Sequence, residues 1–255
     1  MQRKYRNFLF LGAMKIFLRR VHTYWMMFSI ALSYYILYPF IYYFTKKPKR
    51  YFELNPYRRI FAFISSALAG IFYKYEYESD IDWTKNYIIC PNHTSNLDST
   101  AITLMGKSNI FFMGKDELLK NPVTKLWFKT IDVPINRDSK MSAFRAFQKV
   151  SERLKTGLSL VLFPEGKIGE NHPPTLHPFK NGAFKMAIQN KIPILPVSII
   201  NSWQLQWDDG MKKGSKPGIC HIFVHKPIET FNLLPQNEDE LRELVYQTIA
   251  SKLKY

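Results

Sequence analysis

Short apolar, β-branched runs that alternate with helix-period segments after Tyr75 predict an α/β fold with a largely parallel central sheet flanked by helices. An uncharged, aromatic run from Tyr24 to Phe44 adds an N-terminal membrane-associated helical segment. At 255 residues the chain is long enough for one full-sized core plus such an appendage, so we divide it into a membrane-associated segment, 1–72, and a catalytic domain, 73–255.

As a helix, Tyr24–Phe44 would be about 30 Å long, roughly one hydrocarbon thickness. It is too long and too aromatic for a cleavable signal, and no small-residue cleavage site precedes Lys46-Lys47-Pro48-Lys49-Arg50. Arg3, Lys4, Arg6, Lys15, Arg19 and Arg20 lie before it, and Lys46, Lys47, Lys49, Arg50, Arg58 and Arg59 after it. The positive-inside rule places both flanks in the cytoplasm, which a single span cannot satisfy. We therefore favour monotopic insertion at the cytoplasmic face of the cell membrane over a single short spanning anchor. Ser33 and Pro39 are the candidate break points of a re-entrant hairpin. A second apolar stretch, Ile60–Phe72, reads as a helix packed on the catalytic domain.

Beyond it, strands are predicted at Tyr87–Cys90, Asn109–Met113, Val133–Ile135, Leu158–Phe163, Ile194–Ile199 and Gly218–Val224. Helices are predicted at Leu97–Met105, Asn121–Thr130, Met141–Lys155, Asn181–Gln189 and Glu238–Leu253. Asn201–Pro217, with Gly210 and Gly214, is the longest loop and reads as mobile. Ligands should approach one rim of such a sheet.

The formal net charge of +16 points to an anionic partner: nucleic acid, anionic lipid or an acidic carrier protein. The basic residues gather beside the apolar run and are not interleaved with aromatics on one strand face, which weighs against nucleic acid. Cys90 and Cys220 sit in strand-like apolar surroundings and read as reduced core thiols. His22, His93, His172, His177, His221 and His225 never combine with Cys or carboxylates at ligand spacing, so no metal is expected, and His221/His225 share only a strand face.

The chemistry concentrates in Ile88-Ile89-Cys90-Pro91-Asn92-His93-Thr94-Ser95-Asn96-Leu97-Asp98, a strand running into a polar turn and a helix. Five positions apart on a regular helix, His93 and Asp98 would point about 140° away from each other. They can meet if His93 lies in the turn and Thr94, Ser95 or Asn96 caps the helix. Asp98 would then fix one imidazole nitrogen while the other removes a proton from an alcohol attacking a carbonyl. Free N–H groups at the helix start would serve the oxyanion. By itself this spacing more often marks a capping histidine beside a surface aspartate.

Asn92–Asp98 resembles the N-H-x4-D block of the 1-acylglycerol-3-phosphate acyltransferase family of glycerolipid acyltransferases. Three more blocks follow in that family's order: Lys115-Asp116-Glu117-Leu118 with Val133-Pro134-Ile135-Asn136-Arg137; Phe163-Pro164-Glu165-Gly166 with Phe179–Phe184; and Ile192-Pro193-Ile194-Leu195-Pro196-Val197. The resemblance implies transfer of a fatty acyl group from acyl-CoA or acyl-ACP to the sn-2 hydroxyl of lysophosphatidic acid, with the bilayer, the lysophospholipid and the acyl donor as partners, no nucleic acid and no cofactor. It implies His93 as general base and Asp98 as its partner, with no acyl-enzyme. Lys115 and Arg137 are then candidates for the acceptor phosphate, and Glu165 and Gly166 shape its site. The family's third block commonly continues Thr-Arg-Ser, where this chain reads Lys167-Ile168-Gly169. Lys167 or Lys180 would supply the missing charge, or the acceptor is another lysolipid, such as a lyso-aminolipid. A non-catalytic lipid- or nucleic-acid-binding protein is the remaining alternative. A hydrolase is the weaker one, since there is no G-x-S-x-G elbow.

Overall fold

Residues 2–46, 48–107, 109–207 and 212–253 are described by a computed structural model of the chain. Lys47, Gly210 and the side chains of Arg3, Lys4 and Arg6 lie outside the described residues. The strands are β1 (Ile71–Tyr77), β2 (Ile88–Pro91), β3 (Ile110–Lys115), β4 (Val133–Ile135), β5 (Ser159–Val161), β6 (Ile194–Ile199) and β7 (Gly218–Val224). They form one sheet in the order β1-β7-β6-β2-β5-β3-β4. Every neighbouring pair is parallel except β6 and β7. β2 to β6 therefore end on a common rim, and β7 and β1 run the other way.

The predicted strands and helices recur with small shifts at their ends: α3 (Leu97–Met105), α4 (Pro122–Lys129), α5 (Lys140–Lys155), α6 (Gly182–Asn190) and α8 (Glu238–Ala250). Asn121 and Ser139 start α4 and α5 by accepting backbone N–H bonds on their side chains. Side chains alternate across the sheet. Ile88, Cys90, Phe111 and Leu160 face a core with α4, α5, α6 and α8, while Ile89, Val161, Leu195 and Val197 face a second core with α3. Cys90 and Cys220 are buried free thiols, and burial pushes both well above the ordinary thiol range.

Strand β1 is absent from the sequence reading. The apolar stretch Ile60–Phe72 divides into the end of helix α2 (Tyr51–Leu68) and the start of β1, separated by Gly70 at φ +65°. A positive φ is cheap only for glycine, and here it converts a helix into a strand within two residues.

The hairpin expected inside Tyr24–Phe44 is also not found. Helix α1 runs unbroken from Gln2 to Thr45, through both Ser33 and Pro39, about 66 Å at helical rise. Pro39 removes one backbone donor, which packing outweighs, and Ser33 bonds within the helix to the Ser29 carbonyl at 2.7 Å. The reversal comes later, between α1 and α2, which lie antiparallel. Trp25 Nε1 donates to the Leu68 carbonyl at 2.7 Å, Tyr34 meets Phe61, and Phe44 meets Tyr57. Thr23, Met26, Ser29, Ser33, Tyr34 and Ile41 form a buried stripe, with Met26 in one core and Tyr34 and Ile41 in the other. Phe17, Tyr24, Phe28, Tyr35, Ile36 and Tyr43 face outward. Residues Gly12–Thr45 are long and apolar enough to cross a membrane.

Arg58, one of the basic residues that follow the apolar run, is buried. Both Asp132 carboxylate oxygens accept from it at 2.9 Å, and the Ile110 carbonyl accepts a third bond at 3.2 Å. Its guanidinium also lies over the Trp127 ring, 4.5 Å from the centroid, so α2 is bonded to the strand layer as well as packed on it.

Candidate active site

The strand β2 ends at Pro91, and the next seven residues bring His93 and Asp98 together. Asn92 is fully buried and spans the rim to β6: its Nδ2 donates to the Ile199 carbonyl at 3.0 Å, and its Oδ1 accepts from Ile199 N–H at 2.6 Å. The turn that follows is thereby anchored to the sheet. His93 Nδ1 then lies 3.0 Å from Asp98 Oδ2. The same oxygen accepts from the backbone N–H of Thr94 at 2.7 Å and Ser95 at 2.8 Å. The imidazole is 18% exposed and the carboxylate not at all.

Asp98 can accept only, so Nδ1 carries the proton and Nε2 presents a lone pair. The ring stacks on Phe163, with centroids 4.0 Å apart, which limits its rotation. The sequence reading assigned the N–H groups at the start of α3 to an oxyanion. Asp98 takes two of them and Ser95 Oγ a third, from Leu97, so they orient the carboxylate instead.

Two groups complete the centre. Ser202, at the start of the short helix α7 (Ser202–Leu205), donates to Asp98 Oδ1 at 2.5 Å and accepts from the Thr94 hydroxyl at 3.0 Å. Its side chain comes from 104 residues away, inside the segment read as a mobile loop. That segment contains α7 and a bridge between Gln206 and Ser215. The sequence carried no signal for Ser202, because only the β6 crossover brings it to Asp98.

Glu165 is 3% exposed, and both its oxygens accept backbone N–H groups: His93 at 2.5 Å and His177 at 2.9 Å. Burial pushes its carboxyl up to about 7, against the lowering effect of those two bonds. Both contacts are to backbone, and the first fixes the peptide that carries His93.

The cationic candidates occupy the same rim on the far side of β5. Gly166, at φ +77°, closes a turn from Phe163, and its carbonyl accepts from the Arg137 guanidinium. A Cβ added at Gly166 would stand 3.2 Å from Lys180 Nζ and 3.3 Å from the Arg137 guanidinium, so these two cations meet over a glycine. Burial lowers the Arg137 pKa from its ordinary value, and Glu117 opposes the shift. Lys115 ends β3 in register with Ile135 of β4, two residues before Arg137, and its side chain is exposed. Lys167 is also exposed, and Ile168 is half-buried beside it. The structure therefore brings Arg137, Gly166 and Lys180 together and leaves Lys115 and Lys167 at the surface of the same rim.

His221 and His225 do not share an environment: His221 is exposed, while His225 is buried against Ser198.

The Acyltransferase family model matches residues 73–200. A 1-acyl-sn-glycerol-3-phosphate acyltransferase of Haemophilus influenzae is 30% identical over 192 residues, 73% of this chain and 76% of that protein. The 1-acyl-sn-glycerol-3-phosphate acyltransferase alpha of Mus musculus is 30% identical over 171 residues, 66% of this chain and 59% of that protein. The chain spans about half to three fifths of the length of several relatives that it matches, the mouse protein among them. The fold resembles the crystal structure of the 1-acyl-sn-glycerophosphate (LPA) acyltransferase PlsC from Thermotoga maritima, with a TM-score of 0.77 at 21% identity over 93% of this chain and 95% of that one.

Proposed function

The chain belongs to the acyltransferase family, and from that premise we propose that it transfers a fatty acyl group from a thioester donor to the free hydroxyl of 1-acylglycerol-3-phosphate, forming phosphatidic acid. The observation that carries this reading is His93 held through Nδ1 by a buried aspartate at the carboxyl rim of the sheet. Nε2 removes the hydroxyl proton as the oxygen attacks the thioester carbonyl. The tetrahedral adduct collapses, the carbon–sulfur bond breaks, and the proton passes from His93 to the departing thiolate. The acyl group moves directly between substrates. The thioester is already activated, so no cofactor step is needed. The donor is acyl-CoA or acyl-ACP.

Arg137 and Lys180, close together over Gly166, suit a phosphate monoester, with Lys115 and Lys167 adding charge at the surface. Glu165 acts through the His93 peptide. In this reading residues 1–72 are the membrane-associated segment and 73–255 the catalytic domain. Helix α1 is membrane-associated. We place it monotopically at the cytoplasmic face of the cell membrane, because a helix whose inner stripe is part of both cores cannot cross a bilayer without drawing the domain in with it.

Ile168 supports a second acceptor class, a lyso-aminolipid, since an uncharged side chain stands where the family commonly has arginine. An acceptor panel at fixed donor tests both readings. Lysophosphatidic acid should be used well ahead of other lysophospholipids and lyso-aminolipids. A clear preference for a lyso-aminolipid would replace the first acceptor by the second, and donor consumption independent of any lysolipid would overturn acyl transfer altogether.

A further inference from the structure

At the edge of the sheet formed by β4, an open depression of about 270 Å³ lies between that strand and helix α5. Buried Val133 and Ala146 line it together with Met141, Arg145 and Lys149. Met141, Arg145 and Lys149 follow one another at four-residue steps, so they share one face of α5, and Phe144 stands beside them. Met141 and Phe144 are each 60% exposed, and both cations are exposed. Among the described residues the lining contains no carboxylate, and neither cation forms an ion pair, with Asp138 and Glu152 included in that statement.

Single exposed apolar side chains are ordinary, but a flexible methionine and a phenyl ring adjoining two unpaired cations on one helix face have the composition of an interface. The face is also tied to the catalytic rim. Ser139 Oγ accepts from Ser142 N–H at 3.2 Å, Ser142 Oγ from Asn136 N–H at 3.0 Å, and Asn136 Oδ1 from Asp138 N–H at 3.0 Å. Arg137 lies inside this bonded turn, four residues before Met141. A strand could gain little here, because β4 has three residues and its middle one, Pro134, has no N–H to offer. The membrane-associated helices meet α5 at its other end, where the Arg153 guanidinium lies over the Tyr51 ring at the start of α2, 5.2 Å from the centroid. Met141 is twelve residues earlier, about 18 Å along the helix.

We propose that this face of α5 docks an acidic helix of an acyl carrier protein, which delivers the thioester. The inference rests on the acyl-transfer reading and names the donor for it. Arg145 and Lys149 meet carboxylates of the carrier helix, and Met141 and Phe144 seat its apolar residues, so charge sets the approach and apolar contact holds it. The phosphates of a coenzyme would use the two cations and leave both apolar side chains in water. In the sheet, β4 stands three strand spacings from β2, which leads to His93, about 14 Å. A thioester carried on a phosphopantetheine arm bridges such a gap while its protein remains at the edge.

Fluorescence anisotropy with labelled, unacylated bacterial holo-acyl carrier protein, alongside steady-state assays with its palmitoyl form and with palmitoyl-CoA, tests this on the full chain in non-ionic detergent. Wild type should bind the carrier, more weakly as salt rises. Arg145→Glu with Lys149→Glu should weaken that binding and raise KM for the palmitoyl carrier roughly ten- to a hundredfold, with KM for palmitoyl-CoA and both kcat values within about twofold of wild type. Lys149→Glu alone gives the smaller decrease should the double variant not fold. Lys85→Glu with Lys226→Glu, an equal charge reversal on exposed residues before β2 and after β7, should behave as wild type. Equal losses in that control pair would overturn the proposal in favour of diffuse charge attraction, and an equal rise in KM for palmitoyl-CoA would overturn it in favour of a coenzyme phosphate site. Unchanged carrier binding in the double variant, with adsorption to phosphatidylglycerol vesicles lost instead, would make the face a membrane contact. His93→Ala should bind the carrier as wild type does while using neither donor, which separates failure here from failure of the acyl-transfer reading.

Discussion

Among the described residues, two sets of serine, histidine and carboxylate are wired in opposite senses. At the rim, Asp98 is fully buried and His93 is partly exposed. Near the far end of the sheet, His225 is 4% exposed and its carboxylate, Glu78, 51% exposed, at 3.7 Å from Nδ1. Ser198, fully buried, gives its one hydroxyl hydrogen to the Ile249 carbonyl at 2.9 Å. His225 Nε2, 2.8 Å away, must then be the donor to Ser198. An imidazole that donates toward the serine cannot deprotonate it, and no substrate carbonyl could enter. A histidine and a carboxylate within reach are therefore insufficient. What distinguishes a base is a buried acceptor behind the ring and an open lone pair in front.

The largest expected effect tests this contrast directly. His93→Ala should lower turnover by roughly 10²–10⁴-fold with an unchanged melting temperature. His225→Gln should do the reverse, leaving turnover within a few fold and lowering stability by about 1–3 kcal/mol as a buried hydrogen bond is lost. Equal turnover losses in steady-state assays would erase the distinction.

The next effect is on the pH dependence of stability, where two buried groups act in opposite directions. The Glu165 carboxyl is raised from 4.5 to about 7, chiefly by burial, so the stability it contributes is full below pH 4.5 and is lost as pH rises through 7. His225 is lowered from 6.5 to about 4, first by burial and also by Lys252, with Glu78 opposing, so its contribution is full above pH 6.5 and is lost as pH falls through 4. Each contribution is on the order of 3 kcal/mol, and the two oppose each other between pH 4.5 and 6.5. Chemical denaturation across this range should show stability that rises with pH in Glu165→Gln, where the His225 contribution stands alone, and that falls with pH in His225→Gln, where the Glu165 contribution does. An unchanged profile in either variant would remove that group from the balance.

The smallest effect concerns the two serines. Ser202→Ala leaves one Asp98 oxygen without its donor and should cost about tenfold in kcat with KM little changed, together with a displaced pH–rate profile. Ser198→Ala should lower stability by about 1 kcal/mol and leave the pH–rate profile in place. A merely structural Ser202 would leave that profile in place as well.

What could be read from the sequence follows the same division between near and far. His93 and Asp98 are five positions apart in a polar turn, so a local rule was enough to bring them together, and the periodicity of α3, α5 and α8 was plain. Ser202, Asp132 opposite Arg58, and Ser215 opposite His22 come from 104, 74 and 193 residues away, and only the sheet order makes them neighbours. Strand β1 stayed hidden because Ile60–Phe72 is apolar on both sides of Gly70, and the helix–strand boundary is a backbone event with no change in composition. Pro39 misled in the other direction: a local breaker was overruled by the packing of α1 against α2.

The burial of Tyr34 and Ile41 means that α1 is not a handle that can be removed. A shortened version beginning after the apolar run, the usual route to a water-soluble enzyme, would open holes in the interior and expose the Tyr57 and Phe61 face of α2. It should be recovered as insoluble aggregate, whereas replacing outward residues such as Phe28 and Ile36 with polar ones alters solubility without touching the interior.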